Sequence, residues 1–346
     1  MAAAAGVSPT TISNAYNRPE QLSEALRERI LELAEQMGYS GPDPSASSLR
    51  GRRAGSIGVL FAQELTYAFS DPYCAELLTG VAEVATTTGT NVLLMPVGPH
   101  SVSKGHSRAE EMRLVQNVRR AVLDGAIADG VDTEHPVLRV LANRGIPIIS
   151  TVDTGSPCVL VDDRGAAVEV GRHLRELGHR RCAVIIDSMD DDEPVVGVRD
   201  ESRLFPYARL RLEGLRAGLG PGAEVTPVSA GTNTLESGRK AAAAVLAVAA
   251  AAGAQPTVIA ATTDVLALGV IDTLRSQGLQ VGAEISVTGF DDIPRAEDAG
   301  LTTVRQPVRE KGRVMARMLV DPTYGQTRVT LPTEVVIRTS TAPAAS

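Results

Sequence analysis

Cysteine is scarce: the 346-residue chain has three, Cys74, Cys158 and Cys182. They are far apart, odd in number and form no CxxC pair, which argues against a disulfide framework or a zinc site and for a reducing cytoplasm. Tryptophan is absent and aromatics make up 3% of the residues, so any ring at a strand end stands out. No run of 18 apolar residues exists, so no membrane span is expected. The opening Met-Ala-Ala-Ala-Ala-Gly has neither the basic start nor the apolar core of a secretory signal. Catalytic patterns are missing too. There is no nucleophile elbow and no Ser/His/Asp ordering. Gly218-Leu-Gly-Pro-Gly follows a helical stretch where a dinucleotide loop would follow a strand. The acidic run 190–193 reads as a solvated turn, and His173 and His179 flank a helix end, where histidine commonly caps carbonyls. No enzyme activity, metal or cofactor is expected.

The first fifty-odd residues carry a denser signal. Gly6 ends a helical stub, Ala2–Ala5, with a tight turn. Ser8 can cap the next helix, and Pro9 fits its first position because its missing N–H costs nothing there. Val7, Ile12 and Ala15 can face inward, leaving Thr10, Thr11, Ser13, Asn14 and Asn17 outside. Such a helix suits a major groove, though taken alone it equally suits a polar surface helix. Ser23 is a candidate N-cap for a third helix, in which Leu22, Leu26, Ile30, Leu33, Ala34 and Met37 recur at helical spacing before Gly38. Asp43-Pro44 then starts a very short segment, Ser45–Leu49, followed by Arg50, Arg52 and Arg53. A helix so short is unstable alone, and ordering against a phosphate backbone would explain it.

Together these segments resemble the LacI family of transcriptional regulators. The matching stretches are Ala-Gly-Val-Ser-Pro-Thr-Thr-Ile-Ser-Asn, Leu-Ser…Arg-Glu-Arg-Ile…Ala…Gly-Tyr and Ala-x-x-Leu, in that order. The resemblance implies that the second helix reads DNA and that Leu49, beside Ala46, enters the minor groove and kinks it. It makes Ser8, Pro9, Thr10, Thr11, Ser13, Asn14, Asn17, Ser23, Tyr39, Ala46 and Leu49 the DNA-binding candidates. Where the family's reader has a full first helix, this sequence has only Ala2–Ala5, so that helix is expected to be incomplete and operator binding weak. Over residues 1–55 six arginines face six acids, a balance of zero, although DNA-binding modules usually carry a basic excess. The net charge of −7 therefore lies in the remainder, which argues against that part wrapping nucleic acid.

From Ser56 onward β-rich runs alternate with helical ones, the pattern of parallel sheets joined by crossover helices. Two such series in succession suggest two lobes. The fold class expected is α/β, and the resemblance implies a two-lobed periplasmic-binding-protein-like sensor of parallel sheets with flanking helices, preceded by a small all-α helix-turn-helix domain. Its domains would be 1–42, a hinge at 43–55, and an effector-binding and dimerisation domain at 56–346. The first lobe would hold about 56–152 and 292–320, the second about 158–289 and 328–340, with linking strands near 151–161, 289–293 and 320–329.

The resemblance covers nearly the whole chain and implies a small effector, of the sugar or nucleoside class, held between the lobes. In Ala-Arg-Leu-Arg-Leu-Glu-Gly the second Arg, Arg211, opens a helix and matches an effector contact; its bland reading is a surface arginine. Asp291 matches the first acid of Gly-aromatic-Asp-Asp and could otherwise be a loop cap. Thr263 fits a polar contact, and Asp264 reads as the helix N-cap. Tyr73 and Phe290 could stack on a ligand, and Asp153 and Gln306 complete the candidates. The function implied is a ligand-responsive DNA-binding repressor, a cytoplasmic homodimer on a palindromic operator. A transporter's solute-binding protein would share the sensor fold, but it would need a signal peptide and no reader.

Overall fold

A computed structural model describes residues 1–39, 54–98, 108–153, 155, 157–188, 193–198, 200–201 and 204–344. The chain forms two compact units, Met1–Gly55 with Val122–Asp124, and Ser56–Ala121 with Gly125–Ser346. Residues 43–53 of the expected hinge, including Ala46 and Leu49, lie outside the described residues.

In the first unit, helices α1 (Ala2–Ala5), α2 (Pro9–Asn17) and α3 (Glu24–Gln36) surround a small core. Gly6 turns the chain in the left-handed region at φ 68°, which a residue without Cβ adopts freely. Ile12, Ala15, Ala5 and Ile30 are buried together, with Val7, Leu22, Leu26 and Leu33 packed around them. Arg29 donates to the Ala5 carbonyl and Arg27 to the Ala15 carbonyl, at 3.0 and 3.3 Å. Cations thus satisfy carbonyls that helix ends leave orphaned. Two expectations change. Ser23 occupies the N-cap position of α3 but its side chain makes no capping bond. Met37 is 51% exposed, because it lies past the last turn of α3 and no longer follows its apolar stripe.

The second unit holds two sheets. The first is wholly parallel, in the order β12-β5-β4-β3-β1-β2, formed by Ser56–Phe61 (β1), Asn91–Pro96 (β2), Gly125–Asp129 (β3), Ile148–Ser150 (β4), Cys158–Val161 (β5) and Arg328–Leu331 (β12). The second runs β10-β9-β6-β8-β7, from Arg181–Ile186 (β6), Val195–Val196 (β7), Glu224–Ser229 (β8), Val258–Ala261 (β9) and Ser286–Thr288 (β10), with β7 antiparallel. Runs such as Cys-Ala-Val-Ile-Ile in β6 are buried throughout, because helices cover both faces of a parallel sheet. A short antiparallel pair, Thr303–Arg305 (β11) and Glu334–Val336 (β13), stands apart.

The lobe boundaries fall later than expected. β5 pairs within the first sheet, so the chain leaves the first lobe after Val161 and not before Cys158. Residues 328–336 supply two strands to different sheets, β12 and β13. Three helices were not foreseen: Leu65–Ser70 (α4), Pro294–Ala299 (α12) and Val308–Val320 (α13). The others are Pro72–Thr88 (α5), Arg108–Arg120 (α6), Pro136–Asn143 (α7), Asp163–Glu176 (α8), Pro206–Leu219 (α9), Leu235–Ala252 (α10) and Asp264–Ser276 (α11).

Gly218 belongs to a helix crossing, not a nucleotide loop. It lies inside α9, where a Cβ would come within 2.2 Å of the Val168 carbonyl of α8. Gly80 and Gly312 do the same for the α5–α13 crossing, where a Cβ would meet the carbonyls of Arg309 and Leu77. His173 and His179 do not cap their own helix. They tie down the C-terminal segment through Thr341 and Ala342. All three cysteines are buried and free. No helix among the described residues is long and apolar enough to cross a membrane, and no group of three or more His, Cys, Asp or Glu among them could hold a metal.

Candidate functional site

Two surfaces carry chemistry, one in each unit. In the first, the Ser8 hydroxyl accepts from the Thr11 N–H at 3.1 Å and Pro9 holds the first helical position, as local chemistry dictates. With Ile12 and Ala15 fixed inward, Thr10 is exposed and Thr11, Ser13 and Asn14 are partly so. Asn14 donates to the Gln21 side chain at 3.0 Å on the surface. Asn17 ends α2, and its side chain lies outside the described residues. Ser23 is exposed, whereas Tyr39 is half-buried edge-on against Tyr16 with ring centroids 6.3 Å apart. The ring of Tyr39 therefore packs, and its role is at least partly structural.

In the second unit a cleft of about 1030 Å³, part of it open to solvent, lies beyond the carboxyl ends of the strands of both sheets. Asp129 ends β3 and Thr263 follows β9, so both reach its wall by strand direction alone. Tyr73, Asp153, Arg211, Thr263 and Asp291 line it together.

Arg211 is the centre of one wall. It lies inside α9, not at the helix start, because the helix already begins at Pro206. It is 5% exposed. Its Nε donates to Asp163 at 2.8 Å and its Nη1 to the Thr262 carbonyl at 2.6 Å, with Asp291 3.7 Å away. The guanidinium carbon sits 3.5 Å from the Phe290 ring centroid and 4.9 Å from that of Tyr207. Burial opposes this charge, but Asp163, Asp291 and Tyr207 outweigh it and hold Arg211 more firmly protonated than usual.

Asp291 reaches the wall through a strained turn. Asp291 and Asp292 have φ of 124° and 58°, which side chains with a Cβ rarely adopt. The turn is held by the Asp291 N–H on the Val304 carbonyl at 2.8 Å, and by Asp292 paired with Arg305 at 2.7 Å and Arg338 at 2.8 Å. Gln306 donates to Asp291 at 2.6 Å. Burial pushes the Asp291 carboxyl well above the usual range, against the pull of Arg211.

Several candidates land differently from expectation. Phe290 and Gln306 lie behind the wall, one under the guanidinium and one under Asp291, so they position contacts and offer no free face. Thr263, not Asp264, caps α11, accepting from the Leu266 N–H. Asp264 is instead fully buried, accepting from the Ile293 N–H at 2.9 Å and the Thr303 hydroxyl at 2.5 Å, and burial pushes its carboxyl up to about 6. Asp153 sits at the rim in a two-pronged pair with Arg328, at 2.8 and 2.6 Å.

On the opposite wall Tyr73 was expected, but Lys311 and Asp129 were not. Lys311, on α13, donates to the Tyr73 hydroxyl at 3.1 Å, which donates to Asp129 at 3.2 Å. Burial pushes the Lys311 ammonium below the usual lysine range, with Asp129 acting the other way; burial pushes Asp129 up, with Lys311 opposing. Asn233, from the second lobe, donates to Asp71 and to the Tyr67 hydroxyl of the first, both at 3.0 Å, and accepts from Thr263 at 2.6 Å. This network spans the cleft. Asp187 accepts from Tyr207 and from Thr262 behind it.

The description "Bacterial regulatory proteins, lacI family" matches residues 1–41, and a periplasmic binding protein-like domain matches residues 172–341. An HTH-type transcriptional regulator of Mycolicibacterium smegmatis is 38% identical over 99% of this chain and 96% of its own length. The crystal structure of a LacI-family transcriptional regulator from Corynebacterium glutamicum aligns with a TM-score of 0.70 at 30% identity, covering 99% of this chain and 97% of its own. The transcriptional regulator CelR in complex with cellobiose aligns with a TM-score of 0.67 at 27% identity, covering 98% of each chain.

Proposed function

The chain belongs to the lacI family of bacterial regulatory proteins and is a ligand-responsive DNA-binding transcriptional regulator, and from that premise we propose how its residues divide the work. Helix α2 enters the major groove. Thr10 and Asn14 reach base edges, while Ser8, Ser13 and Asn17 hold phosphates, with Pro9, Thr11, Ser23 and Tyr39 shaping that surface. The segment with Ala46 and Leu49 wedges the minor groove. Residues 1–42, 43–55 and 56–346 serve as reader, hinge and sensor.

The effector is a small hydroxyl-rich molecule of the sugar or nucleoside class, and it lies in the cleft. Arg211, Asp291, Thr263 and Tyr73 touch it, Asp153 guards the rim, and Phe290 and Gln306 hold Arg211 and Asp291 in place. The observation that carries this reading is the convergence of Arg211, Asp291, Thr263 and Tyr73, more than two hundred positions apart at the extremes, on one cleft at the strand ends. The cellobiose bound by CelR supports the sugar class. Two copies related by a two-fold axis would present two readers to a palindromic operator. Ligand in the cleft would set the lobe arrangement and thereby the spacing of the two hinge segments, so the protein acts as a cytoplasmic repressor whose operator affinity follows the effector.

Binding-site selection with the full chain, followed by anisotropy titration of the selected duplex with and without ribose, cellobiose and nucleosides, tests the reading. A two-fold symmetric site whose affinity shifts with one of these ligands is expected. An asymmetric site, or no response to any of them, would sink it.

A further inference from the structure

We infer that the cleft selects an uncharged polyhydroxy effector and rejects the phosphorylated or carboxylated form of the same compound, an inference that rests on the cleft being the effector site. The argument starts from the charges on its walls. Asp71, Asp129, Asp163 and Asp291 face Arg211 and Lys311, four acids against two cations, and Asp153 at the rim is matched by Arg328.

Both cations already have partners within the protein. Arg211 spends Nε on Asp163 and Nη1 on the Thr262 carbonyl, lies 3.7 Å from Asp291, and has Phe290 and Tyr207 rings over its plane. Lys311 is 5% exposed and bonds to Tyr73, which passes the interaction on to Asp129. An anionic group entering the cleft would meet more acidic side chains than cations, in a cleft only partly open to solvent. There, like charges repel strongly and a desolvated anion without a partner is costly.

Hydroxyl groups face no such conflict. Each one donates to a carboxylate and accepts from a guanidinium, ammonium or tyrosine hydroxyl, and both kinds of partner stand on both walls. Arg211 with Asp163 and Asp291 offers this mixture from the second lobe, and Lys311 with Tyr73 and Asp129 from the first. A neutral polyol spanning the two poles satisfies both without removing a protein partner from either cation. The stacked rings of Phe205 and Tyr207, 5.5 Å apart, add an apolar flank suited to the C–H face of a sugar.

Isothermal titration of the full chain with matched compounds tests this: ribose against ribose 5-phosphate, glucose against glucose 6-phosphate and glucuronate, with inorganic phosphate as the anion alone. The neutral member of whichever pair binds should bind at least tenfold more tightly than its charged counterpart. Asp129→Asn and Asp71→Asn each replace a wall acid by its neutral amide in a nearly unchanged shape and should narrow that gap. A charged member that equals or exceeds its neutral parent overturns the inference, as does a gap unchanged in both variants when each retains the parent's thermal stability. If charged compounds alone bind, the cleft is still a ligand site and only the selectivity is wrong. If nothing in the panel binds, the sugar reading of the cleft fails and this inference falls with it.

Discussion

The reader and the cleft handle polar groups in opposite ways. In the reader the functional side chains stand on the outside of one short helix, over a core centred on Ala5, Ile12, Ala15 and Ile30. Few of them bond to one another, and most are at least partly open to solvent. In the cleft most of them are buried, drawn from α5, α8, α9, α13 and the ends of strands, and each has a partner within the protein. The lesson concerns cost. Removing a reader side chain should change what is bound and leave the fold intact. Removing a cleft side chain should strand a buried partner and destabilise the whole lobe.

Four substitutions sharpen that contrast, taken from the largest expected effect to the smallest. Arg211→Met leaves Asp163 and Asp291 buried without their cation. It should destabilise the sensor by about 3–5 kcal/mol, read as an earlier urea midpoint of its transition. A loss below about 1 kcal/mol would mean that water, not Arg211, satisfies those acids. Ile30→Ala removes a fully buried side chain from the small reader core. A cost of about 2–5 kcal/mol is large for so small a unit. Operator binding should disappear while sensor ligand binding stays at the parent value; loss of both would show that the units do not fold independently.

Asn14→Ala should leave the melting temperature unchanged and alter base preference at one position of each half-site, by about 1–3 kcal/mol. An unchanged consensus from binding-site selection would remove Asn14 from the readers. Ser8→Ala deletes the α2 cap. It should weaken operator binding across all sequences through a helix-stability loss of about 1 kcal/mol, with no change of preferred bases. A changed consensus would show that Ser8 reads bases directly.

The same contrast explains what could be seen in the amino-acid order. The reader was legible because its signals are local: a left-handed Gly6, a capping Ser8, Pro9 at the first helical position, and Ile12 and Ala15 on the inner side. The parallel sheets were legible from buried runs such as those of β1, β6 and β9. Arg211 and Asp291 could be picked out because each sits in a short recognisable motif. Lys311 could not, because its helix was not foreseen and no local motif surrounds it. One signal was available: the chain has three lysines, Lys104, Lys240 and Lys311, and only Lys311 shares a helical stripe with Val308, Gly312 and Met315. A lysine on the apolar side of an amphipathic stretch must find a buried partner, which here is Tyr73 with Asp129 behind it. Asn233 and Asp71 meet only because the two lobes come together, a contact no short-range pattern encodes. Lobe boundaries were misplaced for a related reason: β5 and β12 are short strands whose sheet membership is decided by pairing, not by composition.

The central claim is that a ligand in the cleft controls the reader, and Asp291→Asn tests it most directly. Asparagine is isosteric with the aspartate that already adopts φ 124° here and adds no steric demand on the turn, while the carboxylate is lost. The measurement is operator affinity at one salt concentration, with and without the tightest-binding compound of the sugar panel, for the parent chain and for this variant. The parent should shift about 5- to 150-fold with ligand, and ligand affinity should shift by the same factor with operator DNA. The variant should bind the operator as the parent does without ligand and should not respond. A variant that keeps the parent's full response would contradict the account.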